Sequence, residues 1–512
     1  MTHLQQRLRA LPLSRLKGVR RGIEKESLRV RPGGALAMTP HPAALGSALT
    51  HPHITTDFSE AQLEFVTGVH ADVHACLDEL TQIHQFTYRV LGDERLWVAS
   101  MPCGLPSDEQ IPIAFFGSSN VGRLKTLYRT GLSHRYGRRM QTISGIHYNW
   151  SMPGVPSERY FDLIRNFRRH AFVLLYLFGA SPAVCSSFVE GGAHDLQMLK
   201  GQTLYMPHGT SLRMGRLGYR SDAQASIAVS YNGLESYGAT LEEALTRPWP
   251  AYEALGIRDG AGGYNQLDTS LLQIENEFYG TIRPKRVIHP GERPLHALRE
   301  RGVEYVEVRC MDLDPFVSVG IEAQTMRFLD VFLLHCLLHD SPPDTPQEIA
   351  ALSRNQHLAA ARGREPGLRL ERGDTEVSLV DWGAEILDQC VPIAEALDAA
   401  HGIASHREAL AAANASLHDA SLLPSARVLE VMQRDFDSSY VRFVNAQSDA
   451  ARKTLLERPF SPEVQATFEH LARESLDEQA RVEAADSIDF ESWRQAYLAP
   501  QRLNAEIKDE AA

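Results

Sequence analysis

Glu24 and Glu26 stand two apart in Gly22-Ile23-Glu24-Lys25-Glu26-Ser27-Leu28, so on an extended strand both carboxylates leave the same face. Glu64 opposes the apolar Leu63 and Phe65 in a second such segment. Asp57 follows Thr55-Thr56, and Glu307 aligns with Arg309 between Val303 and Met311. Taken singly, each acid is what a solvated strand face carries. On neighbouring strands they repel, because like charges set opposite one another destabilise a sheet. A face carrying Glu24, Glu26, Asp57, Glu64 and Glu307 therefore needs cations, and oxygen donors suit a hard divalent ion such as Mg²⁺. His147, between Ile146 and Tyr148, reads equally as a further ligand or as a satisfied structural histidine. Zinc is disfavoured here, since no Cys/His spacing of the usual kind occurs.

Cations follow in Ile282-Arg283-Pro284-Lys285-Arg286, stiffened by Pro284. Arg283, Lys285 and Arg286 beside an acidic sheet end would suit a polyphosphate bridging metal to protein. A solvated basic turn explains them equally well. Gly117-Ser118-Ser119-Asn120-Val121-Gly122-Arg123 has the glycines of a phosphate loop, but Arg123 replaces its lysine and no buried strand precedes it. It reads as a turn entering a helix from Arg123 to Arg139.

These acids meet only if their strands lie side by side. Gln141 to Met152 reads as a strand with Gln141, His147 and Asn149 on one face. Gln273 to Tyr279 reads as another that aligns Gln273, Glu275, Glu277 and Tyr279. The connections vary in length without regular strand–helix alternation. An α+β fold is expected, its sheet mainly antiparallel, with one face on a core and one open. From about Pro343 the chain turns Ala/Leu/Glu/Arg-rich and helical, Ile386 to Ala400 being clearly amphipathic. Gly363 to Gly373 and Asp419 to Pro424 read as connections. The expected organisation is a catalytic region, residues 1–340, with a helical region, 341–512, packed on it as one unit.

Composition sets the frame. The 512 residues include 64 acidic and 52 basic ones, a net charge of −12 that argues against a nucleic-acid footprint. The six cysteines contain no C-x-x-C pair and read as free buried thiols of a reducing cytosol. Met1 to Arg21 is basic without an apolar core segment, unlike a secretory signal. The apolar run Ala171 to Ala180 is about half the ~20 residues a membrane span needs. A soluble cytoplasmic protein without membrane or nucleic-acid partners is expected, and a monomer.

Longer tracts resemble a known family. Gly22 to Val30, Ile54 to Glu60, Leu127-Tyr128-Arg129 and Met140 to Asn149 are similar to the proteobacterial glutamate–cysteine ligases, the γ-glutamylcysteine synthetases. So are Phe178 to Ala183, Leu272 to Tyr279 with Arg283 to Arg286, and Val303 to Arg309. The resemblance runs from about Gly18 to Phe332 and implies a glutamine-synthetase and guanidino-kinase-like funnel around Mg-ATP. It implies ATP-driven joining of L-glutamate to L-cysteine through γ-glutamyl phosphate, the first step of glutathione synthesis. Mn²⁺ would substitute for Mg²⁺, and glutathione would inhibit by feedback. By the same resemblance Glu24, Glu26, Asp57, Glu64, His147 and Glu307 are the metal ligands. Phe58, Tyr128, Leu132, Gln141, Arg213, Tyr219 and Tyr279 line the cysteine pocket, and Arg129 and Arg309 lie near the transferred phosphate. A related ligase using another amine, a guanidino kinase of the same fold, and a silent metabolite-binding relative are the competing readings.

Overall fold

The computed structural model describes residues 3–190, 192–217, 222–225 and 227–504. Its strands are β1 Arg20–Val30, β2 Ile54–Thr56, β3 Gln62–Val66, β4 Arg95–Leu96, β5 Ile146–Ser151 and β6 Ala183–Cys185. They continue with β7 Gln197–Lys200, β8 Thr203–Tyr205, β9 Ile282–Lys285, β10 Tyr305–Met311, β11 Arg369–Arg372 and β12 Thr375–Ser378. Seven form one sheet in the order β2-β3-β1-β5-β10-β9, with β4 on the end of β1. Every ladder in that sheet is antiparallel.

Alternation explains the register. Ile146, Tyr148 and Trp150 leave one face of β5, and Val306 and Val308 meet Trp150 and Tyr148 across the β10 ladder. That apolar face is covered by the helices Ser157–Phe178, Ala323–Leu338 and Val73–Val90. The other face receives the acids: Glu24 pairs with His147, Glu26 with Glu64, and Glu307 with Arg283. A register shift between Val308 and Met311 ends the regular pairing of β10.

The helical C-terminal part folds back over the first half. Helix Tyr440–Glu457 packs on Val73–Val90 and β4, and helix Phe490–Leu498 packs on the helix Asn120–Tyr136. One apolar core runs from Leu4 to Leu503. No helix among the described residues is long and apolar enough to cross a membrane; the run Ala171 to Ala180 covers the end of the helix Ser157–Phe178 and the two residues after it.

Several expected elements differ. Gln273 to Tyr279 is no strand: a short 3-10 turn, Glu275–Glu277, is held because buried Arg293 claims Glu275 and buried Arg135 claims Glu277. The strand expected from Gln141 begins only at Ile146, and Gln141 sits in the 3-10 turn Met140–Thr142. The helix after the glycine turn starts at Asn120, where Ser119 caps Gly122 N–H at 3.1 Å. The connection Gly363 to Gly373 contains β11, which forms a hairpin with β12. Cys103 and Cys185 are not free thiols: they are disulfide-bonded, their Cα atoms 5.2 Å apart, because the fold seats β6 against the segment after β4. Cys76, Cys310, Cys336 and Cys390 are free and buried.

Candidate active site

Strands β1, β3 and β10 bring their acids, and β5 brings His147, to one wall of a cavity of about 380 Å³, a size suited to a small ligand. His147 Nδ1 donates to Glu24 Oε2 at 3.1 Å, and Asn149 Nδ2 donates to Glu24 Oε1 at 2.9 Å. The proton on Nδ1 leaves His147 Nε2 a bare lone pair, and it lies 3.7 Å from Glu26 Oε1. Two acceptors facing each other require a proton or a cation between them. Donor atoms of Glu24, Glu64 and His147 all lie within 4.8 Å of one another. Glu26 also accepts from Gly145 N–H at 2.6 Å.

Electrostatics divides the wall. Burial, then the neighbouring Asp57 charge, pushes Glu26 up to about 8. Burial, followed by Asp57, Glu24 and Glu26, pushes Glu64 well above the carboxylate range. Burial also opposes ionisation of Glu307, but Lys285 at 3.1 Å and Arg309 at 2.8 Å hold it well below its ordinary value. For Glu24, burial and the Glu307 charge are outweighed by His147 and Lys285, and its carboxyl is lowered. Burial lowers His147, so its imidazole is neutral and able to ligate. The protein's own cations thus neutralise one end of the wall, and Glu26 and Glu64 keep protons that a divalent ion would displace. The donor set fits a hard cation.

The family model for glutamate-cysteine ligase matches residues 5–359 of this chain. The chain belongs to that family. It is 48% identical to the glutamate–cysteine ligase of Alcanivorax borkumensis over 97% of its own length and 100% of the relative's. It is 48% identical to that of a Janthinobacterium species, over 94% and 95% of the two chains. Its backbone is similar to the crystal structure of the Francisella tularensis glutamate–cysteine ligase in complex with AMP. There the TM-score is 0.89 at 35% identity, covering 94% of this chain and 97% of that one.

All six acids and histidines expected as metal ligands, with Arg129, Arg283, Lys285 and Arg309, line the one cavity. Phe58, Tyr128, Leu132, Gln141 and Tyr279 line it as well. Arg286 does not: it donates to the Gly302 carbonyl at 2.6 Å, because alternation along this segment turns it away from Arg283 and Lys285. Arg213 lines a second cavity of about 550 Å³ that shares Glu26, His147, Tyr279 and Arg309 with the first. Gly145 makes room for its guanidinium, since any side chain there would collide with it. Arg213 Nη2 donates to the Arg309 carbonyl at 2.8 Å. Tyr219 lies outside the described residues.

Sequence reasoning missed Lys125, Trp493 and Tyr497, which also line the first cavity. Lys125 was findable, being one helical turn before Arg129 on the same face. Burial, then Arg129, lowers its ammonium to about 8. Trp493 and Tyr497 form a stacked pair, ring centroids 5.2 Å apart, on the C-terminal helix Phe490–Leu498. Their only local signal is an aromatic i, i+4 spacing.

Proposed function

We propose that this chain uses ATP to join the γ-carboxylate of L-glutamate to the amine of L-cysteine, giving γ-glutamylcysteine, ADP and phosphate, the entry step to glutathione. The observation that carries the reading is the single cavity in which a carboxylate wall faces Arg129, Arg283, Lys285 and Arg309. Acids gather cations, and the basic side chains grip the phosphates those cations bridge.

A carboxylate and an ammonium ion do not condense in neutral water, so the γ-carboxylate must first be phosphorylated. Glu24, Glu26, Asp57, Glu64, His147 and Glu307 are the residues that would hold Mg²⁺ or Mn²⁺. When bound, the ions supply charge neutralisation for the β- and γ-phosphates. In this reading Arg309, which lines both cavities, follows the phosphoryl oxygens from nucleotide to glutamate. Arg129, held by the Asp57 carbonyl and by the Lys125 carbonyl at 2.9 Å, is fixed at the same wall. Trp493 and Tyr497 offer the adenine a stacking surface. The cysteine amine then attacks the acyl carbon and phosphate departs. Water has to be kept from the acyl phosphate until the amine attacks, since it would hydrolyse it. Phe58, Tyr128 and Tyr279 give the thiol a soft surround, and Tyr279 is fixed by Gln141, whose Nε2 lies 3.1 Å from its hydroxyl.

The antiparallel sheet is read as the funnel of the glutamine-synthetase and guanidino-kinase kind, in a cytoplasmic enzyme that glutathione inhibits. ADP release with glutamate and a panel of amines tests the assignment. Cysteine should lead, 2-aminobutyrate should serve, and glycine and ammonia should be poor. Equal rates with ammonia and cysteine would replace it with a glutamine-forming activity.

A further inference from the structure

A histidine–cysteine cluster lies among the helices that cover the apolar face of the sheet, and no step of the ligase reading uses it. His170 of the helix Ser157–Phe178 meets His335 and Cys336 of the helix Ala323–Leu338. One donor atom from each lies within 4.8 Å of the other two. The three residues are 9%, 0% and 0% exposed.

His335 Nε2 lies 3.0 Å from Gln389 Oε1 on the helix Leu379–His401. An amide oxygen only accepts, so Nε2 carries the proton and Nδ1 is left with a lone pair. His335 Nδ1 and His170 Nδ1 are both buried without a hydrogen-bond partner. Burial keeps both imidazoles neutral, His335 falling to about 4. His339, one turn beyond His335, has its ring centroid 5.3 Å from that of His335 and 6.0 Å from that of His170. Its Nδ1 donates to the Asp340 carbonyl at 2.9 Å, which leaves Nε2 bare in the same way.

A buried lone pair on His335, beside an unpartnered His170 nitrogen and a thiol, is what a cation satisfies. Imidazoles fixed by a carbonyl on the far nitrogen are the usual condition of metal-ligating histidines. We propose that His170, His335 and Cys336 bind one zinc-class divalent ion, distinct from the hard cations of the acid-lined cavity. Two imidazole nitrogens and one sulfur suit a borderline ion. On binding, the Cys336 S–H bond breaks, its proton leaves to solvent, and a sulfur–metal bond forms. The sequence hides the site because its donors come from helices far apart in the chain.

The test is titration of the chelator-treated full-length chain with Co²⁺ in excess Mg²⁺, so that the acid-lined cavity is already filled. One equivalent should bind with a thiolate-to-cobalt charge-transfer band, and Zn²⁺ should displace it. Cys336→Ser should abolish the band, and Gln389→Ala should weaken binding by about 10–100-fold. Thermal melts without metal establish that each variant is folded. Absence of the band in the wild-type chain, or an undiminished band in folded Cys336→Ser, overturns the proposal. If Cys336→Ser does not fold, an affinity unchanged in Gln389→Ala overturns it.

Discussion

Arg309 and Glu307 show how a single pair can carry two roles. Arg309 Nη1 donates to Glu307 Oε2 at 2.8 Å, while Lys285 approaches the other oxygen. An ion pair that only balanced charge would tolerate a lysine, whereas a planar fork aimed at a transferring phosphoryl group would not. A donor aimed at developing charge is worth about 3–4 kcal/mol. Arg309→Lys and Arg309→Ala should each lower turnover at least about tenfold with little change in the KM for cysteine. Near-normal turnover in the lysine variant would reduce Arg309 to a charge balancer. Glu26 carries a second consequence. Its folded value of about 8 lies above the ordinary 4.5. Its contribution to stability is therefore full below the unfolded value and is lost as pH rises toward about 8. Mg²⁺ must displace that proton, so binding should tighten and release protons over the same window. Melting temperatures of the metal-free and Mg²⁺-loaded chain at several pH values check this, and a metal-induced rise that is flat with pH would refute it.

The turn Glu275–Glu277 is an element made by its partners. Glu277 and Arg135 are fully buried and 2.9 Å apart; Tyr136 donates to the same carboxylate at 2.6 Å, and Gln273 N–H does so at 2.7 Å. The turn delivers Tyr279 to the seam of the two cavities. Glu277→Gln leaves the Arg135 charge buried without its counter-ion, which typically costs about 3–5 kcal/mol. Urea unfolding should show that loss, and the KM for cysteine should rise as Tyr279 moves. Wild-type stability in this variant would mean that the pair is dispensable. The period-two spacing of Gln273, Glu275 and Glu277 imitated a strand because alternation records spacing and not the partner that claims each carboxylate.

Across the whole molecule, the C-terminal helix Phe490–Leu498 closes one side of the site by packing on the helix Asn120–Tyr136. Trp493 and Tyr497 thereby reach a cavity otherwise built by the first 310 residues of the chain. Stacking of a base on an aromatic ring is worth about 1–3 kcal/mol. Trp493→Ala should therefore raise the KM for ATP about tenfold while turnover changes little. Steady-state kinetics decides it, and an unchanged KM for ATP would place the base elsewhere.

The carboxylate wall was legible in the order of residues alone. Side chains on a strand must alternate, so Glu24 with Glu26, and Glu307 with Arg309, share a face whatever surrounds them. The amphipathic run Ile386 to Ala400 likewise had to be a helix, and it lies within Leu379–His401. Alternation along the segment even separates Arg286 from Arg283 and Lys285, although charge alone grouped them. Which strands became neighbours, and so which acids meet, depended on long-range pairing. The same holds for the disulfide between Cys103 and Cys185, whose sequence separation is 82. It holds too for the arginines that claim Glu275 and Glu277 and for the aromatic pair at the cavity mouth. Local geometry dictates which way a side chain leaves the backbone; only packing decides what it meets there.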